Sequence, residues 1–146
     1  MIAGPLRGRF RRVELADGTR GWVESRGLDV GRRAAPPLAL RVADLMGVPY
    51  LWGGRTPAGM DCSGLVQMLL AEQGVWLPRD AADQERSSRR LGPGERPRIG
   101  DLAFFGPRPG PAGHVGLVIG GGRYVHARGQ VRVDRKSTRL NSSHRL

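Results

Sequence analysis

One cysteine, Cys62, stands in the stretch GMDCSGLVQMLLAEQG, residues 59–74, between an aspartate and a serine and just ahead of an apolar run with helical spacing. A thiol attacks carbonyls as thiolate, and its ordinary pKa of about 8.5 must fall for that. A helix N-terminus lowers it, because unpaired N–H groups and the positive dipole end face the sulfur. An adjacent imidazolium lowers it too. The chain has three histidines, His114, His126 and His144. His144 sits in an atypical tail, so His114 and His126 are the candidates for a base. A strand–GGG–strand hairpin centred near residue 120 sets these two near its open end. The result is a Cys–His–His row of nucleophile, base and orienting group. The bland readings stand beside it: a lone cysteine is commonly a small buried hydrophobe, and a strand histidine is commonly structural. One Cys and two His at these separations match no compact metal-ligand spacing, so neither metal nor cofactor is expected.

The elements that must position these groups follow from the pattern. Asp61 is a natural N-cap, and Leu65, Val66, Leu69 and Leu70 form the inner face of a helix that Gly74 ends. Gly64 would leave the first turn open to a substrate carbonyl, and the Cys62 amide could bind the resulting oxyanion. Upstream, PLALRVADLMG reads as a helix with Leu38, Val42, Leu45 and Met46 on one side and Gly47 as its stop. VPYLWGGRTPAGM reads as a loop. LPRDAADQERSSRRL holds a short polar helix capped by Asp80. DLAFFG, HVGLVIGG and RYVHAR read as strands, with QVRV as a fourth. Helices first and an antiparallel sheet afterwards make the class α+β. Before all this, RFRRVELADGTRGWVE alternates around Asp17-Gly18, a hairpin turn.

YLWGGRTPAGMDCSGLVQ, LPRDAADQ, IGDLAFFG and GHVGLVIGGGRYVHA together resemble the NlpC/P60 family of papain-like cysteine peptidases over residues 36–133. The resemblance implies hydrolysis of bacterial peptidoglycan stem peptides, at the bond after γ-D-glutamate. It implies Cys62 as nucleophile, His114 as base and His126 as the polar third member. Tyr50 matches a family tyrosine beside the nucleophile, and Asp61 and Ser63 match positions that help bind the substrate's N-terminal end. GWV and GLDV resemble the closing strands of a bacterial SH3-like domain. Paired with the catalytic motifs, they resemble γ-D-glutamyl-L-diamino acid endopeptidases that select stems with a free N-terminal L-Ala. The organisation expected is an SH3-like fragment over 1–30, a linker over 31–35, an NlpC/P60 domain over 36–134 that stops short at its C-terminus, and a tail over 135–146. Family members act outside the membrane, or inside it during wall recycling. That implies a cell-envelope or secreted protein where a signal precedes Met1, and a cytoplasmic one otherwise.

Composition bounds the alternatives. At 146 residues the chain is one domain, or one domain and a fragment. No stretch approaches the roughly 20 apolar residues of a membrane span. The formal charge of +11 is carried almost wholly by arginine. It is scattered and has few aromatic neighbours, which argues against a nucleic-acid partner. Rival functions are a muramoyl-L-alanine amidase of related fold and a non-catalytic wall-binding module. The sequence does not fix the oligomeric state. The final RKSTRLNSSHRL has four basic residues, no acidic ones and no apolar face. It resembles translated adaptor sequence and reads as non-native or disordered.

Overall fold

The structure is a computed structural model that describes residues 2–14, 18–27, 35–107, 110–135 and 142–146. It divides into two compact units, Met1–Ala34 and Ala35–Leu146. In the first, β1 (Ile2–Arg7), β2 (Phe10–Glu14) and β3 (Arg20–Glu24) form an antiparallel meander in that order. β2 and β3 are the two alternating runs of the sequence. β1 was hidden there because Gly4 and Pro5 interrupt its alternation, and its pairing slips between Ala3 and Leu6. Asp17 and the 31–34 stretch of the expected linker lie outside the described residues.

The second unit begins with α1 (Leu38–Leu45), which buries Val42 and Leu45. Met46, expected on the same face, is exposed. The backbone turns extended at Met46 and reverses at Gly47, whose φ of +82° suits glycine. The expected loop contains a small hairpin, β4 (Arg55–Thr56) and β5 (Gly59–Met60). Next comes α2 (Cys62–Glu72), with Leu65, Val66 and Leu69 fully buried. Then α3 (Ala81–Arg86) begins at Asp80, whose side chain makes no capping bond.

The remaining strands are β6 (Arg89–Arg90), β7 (Leu102–Phe105), β8 (His114–Gly120), β9 (Arg123–Arg128), β10 (Gln130–Arg135) and β11 (Ser142–Arg145). They form one antiparallel sheet in the order β10-β9-β8-β7-β11-β6. α2 packs on β8 and β9, where Leu65, Val66 and Leu69 join Val115, Leu117 and Val125 in one core. Burying such a side chain is worth about 1.5–3 kcal/mol, so this helix–sheet contact is the main force holding α2 against the strands.

The tail departs from expectation at its far end. Ser142–Arg145 pairs with β7 on one side and β6 on the other, so the β7 edge is covered. His144 is buried edge-on against Phe104 with ring centroids 4.9 Å apart, and Arg145 binds Asp101 at 2.9 Å. The strand is made by backbone pairing and two specific side chains, which apolar patterning does not signal.

Candidate active site

Cys62 is the first residue of α2, as the sequence implies. Its N-cap, Asp61, accepts the Gly64 amide at 2.7 Å, filling one of the orphan donors of the first turn. The other carboxylate oxygen accepts the Gly53 amide at 2.9 Å. Arg79 closes the set with two bonds to Asp61, at 3.0 and 2.5 Å, and a third to Ser63 Oγ at 3.0 Å. Burial pushes the Asp61 carboxyl upward, but Arg79 and the two amides outweigh it and hold the group below its ordinary value. Asp61 and Ser63 are therefore buried and bonded to one guanidinium.

Gly64 has a different task from the one its position suggested. A Cβ there would lie 2.4 Å from the Gly54 carbonyl. The Gly53-Gly54 turn fills the space beside the first helical turn, and the Asp61 amide donates to that same carbonyl at 3.2 Å. The opening expected for substrate is occupied by the protein's own backbone.

Cys62 is 8% exposed. Burial raises its pKa above the ordinary thiol value, whereas the helix N-terminus was expected to lower it. The amides of Val115, Ser63 and Cys62 face the sulfur and pull the other way, but they do not overcome enclosure in the core. Tyr50 lies close by. Burial first, then the charges of Cys62 and Asp61, push its phenol up.

The histidines meet, though by a different register from the simple hairpin. Leu117 pairs with Val125 and Val118 with Tyr124, followed by a bulge at Gly120. Gly121 and Gly122 make the turn with φ of +61° and +68°. This register sets His126 opposite Gly116 and leaves His114 diagonal to it. Gly116 permits the diagonal contact: a Cβ there would lie 2.7 Å from the Tyr124 ring and 3.3 Å from His126 Cβ. His114 Nε2 and His126 Nδ1 are 2.7 Å apart, and His126 Nε2 is 3.1 Å from Asp134 Oδ2. A carboxylate only accepts, so His126 Nε2–H donates to Asp134. His126 Nδ1 then accepts from His114 Nε2–H, and His114 Nδ1 keeps its lone pair. Burial, then the charges of His126 and Arg128, lower His114 to about 4. Burial also lowers His126. Both rings are neutral near pH 7.

The profile of the NlpC/P60 family matches residues 47–145, which contain every one of these groups. The chain belongs to the NlpC/P60 family. It is 40% identical over 87 residues to the γ-D-glutamyl-L-lysine dipeptidyl-peptidase of Bacillus subtilis, covering 58% of this chain and 29% of that protein. It is 39% identical over 111 residues to the peptidoglycan endopeptidase RipB of Mycobacterium tuberculosis, covering 67% and 45%. The crystal structure of an NlpC/P60 family protein from Bacillus cereus superposes with a TM-score of 0.69 at 26% identity, over 98% of this chain and 52% of that one. The chain thus spans less than half the length of these curated relatives.

Two members of this NlpC/P60 site were not singled out in the sequence. Arg79 lay inside the LPRDAADQ motif, and its spacing from Asp61 gave no local sign of contact. Asp134 ends the weakest of the strand runs, and only the β9–β10 register, with Tyr124 opposite Asp134, brings it diagonal to His126. Partial burial raises the Asp134 carboxyl, but bonds from Arg132 and His126 hold it below its ordinary value. A cleft of about 1020 Å³ opens along the base side, lined by Tyr50, His114, His126, Arg128 and Asp134 among others. Among the described residues no group of three His, Cys, Asp or Glu is placed to hold a metal ion, and no helix is long and apolar enough to cross a membrane.

Proposed function

We propose that the protein is a cysteine peptidase that hydrolyses peptidoglycan stem peptides between γ-D-glutamate and the diamino acid. The observation that carries this reading is the Cys62 helix start set against β8 beside a hydrogen-bonded His114–His126 pair. His114 Nδ1 takes the thiol proton as the sulfur attacks the γ-carbonyl. Because the thiol rests protonated and the base rests neutral, proton transfer and attack belong to one event in the bound complex. The Cys62 amide, which faces the sulfur, stabilises the oxyanion. His114 then gives the proton to the leaving amine, the C–N bond breaks and a thioester remains. Water, deprotonated by the same nitrogen, cleaves the C–S bond and releases the acid. His126 holds the tautomer of His114, and Asp134 holds that of His126.

Residues 1–30 fit the closing part of an SH3-like domain, on the support of the β1–β3 meander and the GWV run. The substrate reading carries the site of action with it: the cell envelope, or the cell interior during wall recycling. Incubation with L-Ala-γ-D-Glu-diamino acid, followed by mass spectrometry, tests the proposal. Release of L-Ala-γ-D-Glu and the free diamino acid is expected. No release, or equal release by Cys62→Ser, overturns it.

A further inference from the structure

We infer that Arg128 is a specificity residue that takes a carboxylate of the leaving diamino acid. This deepens the peptidase reading and rests on it.

The cleft holds the leaving half of the substrate. One nitrogen of His114 must serve both the thiol and the departing amine, so the leaving residue lies on the base side of Cys62. The cleft of about 1020 Å³ is lined from Tyr50 through His114 and His126 to Arg128 and Gly129. It therefore houses the leaving half. Asp61 and Ser63 are not among the residues lining this cleft, and Arg79 binds both.

The cleft has little negative charge to spare. Asp134 is the one carboxylate among its described lining residues, and it is engaged by Arg132 and His126. Arg128, at the end of β9, is exposed, and among the described residues no hydrogen bond or ion pair holds its guanidinium. Its neighbour Gly129 accepts the Tyr50 amide at 2.9 Å, which fixes the backbone of Arg128 between Tyr50 and the base. Its charge is felt at both histidines. Among the described residues, this cation beside neutral bases has no structural partner to satisfy. A planar guanidinium matches a carboxylate in two-pronged geometry. The leaving diamino acid offers one: its α-carboxylate when it ends the stem, or the side-chain carboxylate of diaminopimelate.

Four stems separate these sources: L-Ala-γ-D-Glu-L-Lys, its C-terminal carboxamide, the diaminopimelate stem with its α-carboxyl amidated, and the first stem with the D-Glu α-carboxyl amidated. The wild-type chain should cleave stems with either leaving-residue carboxylate roughly tenfold or more faster, in kcat/KM, than the lysine carboxamide. The difference should lie mainly in KM. Arg128→Gln should bring that ratio close to one, and Arg128→Lys should keep only part of it, because an ammonium cannot make the two-pronged contact. Equal cleavage of acid and carboxamide by wild type, a ratio unchanged in Arg128→Gln, or a preference that follows only the D-Glu carboxylate overturns the inference while the peptidase reading stands. Cleavage of none of the four overturns that reading, and the inference falls with it.

Discussion

The two ends of the site are built by opposite strategies. At the nucleophile end, Asp61 is buried and saturated by Gly53, Gly64 and Arg79, and backbone from Gly54 seals the first turn. At the base end, three side chains from three adjacent strands hand one hydrogen bond to the next, and the row runs outward to half-exposed Asp134. The first end fixes a position. The second fixes a tautomer. A position needs many short contacts to one rigid group, whereas a tautomer needs a single acceptor at the end of a chain.

That contrast predicts a graded response to mutation. The deepest loss should come from removing the chemistry itself. Cys62→Ser and His114→Ala should each lower kcat/KM by about 10⁴-fold or more with folding retained, measured on one stem peptide beside circular dichroism. Substantial activity in Cys62→Ser would break the thiol mechanism. Next is the orienting ring. His126→Ala should cost about 10²–10⁴-fold, and His126→Asn or His126→Gln should keep more, since a side-chain carbonyl still accepts His114 Nε2–H. Equal, total loss in all three would assign His126 more than orientation.

At the clamped end, Arg79→Ala should act on stability as well as rate. It leaves the Asp61 carboxylate buried with two amide donors and no cation, for a loss of about 1–3 kcal/mol by denaturant titration and a smaller fall in kcat. Arg79→Lys should restore only part, because a single ammonium cannot span both carboxylate oxygens and Ser63. Unchanged stability in Arg79→Ala would mean that the two ends are alike after all.

The smallest effect is a flat pH profile. With His114 lowered to about 4 by burial and by its charged neighbours, the base stays unprotonated well below pH 6.5. Between pH 7 and 5, kcat/KM should change by less than about twofold, whereas a base at its ordinary value would lose about 25-fold. An acid limb centred near 6.5 would show that the ring is better hydrated than the structure makes it.

How much of this was legible follows from the range of each signal. The α2 start, its inner face and its cap were readable because cap and periodicity act within a few residues. The meeting of His114 and His126 was readable from the GGG turn, although the register was off by a bulge that side-chain alternation does not encode. Arg79, Asp134 and β11 were not readable. Each depends on a partner fixed by tertiary register: Asp61 across α2, Tyr124 across β9–β10, and Phe104 across β7–β11. The sign of the Cys62 shift also escaped. The helix start is local, but the enclosure that outweighs it is assembled from residues as distant as Val115.

The enclosure of the Cys62 sulfur bears on how long the protein survives in an oxidising place. Peroxide attacks thiolate far faster than thiol, and over-oxidation proceeds from sulfenic to sulfinic acid only at accessible sulfur. A residue 8% exposed, with its thiol kept protonated, is a poor target on both counts. As the chain's single cysteine it also has no internal partner for a disulfide. The enclosure that keeps the Cys62 thiol protonated therefore also keeps it in its least perishable form.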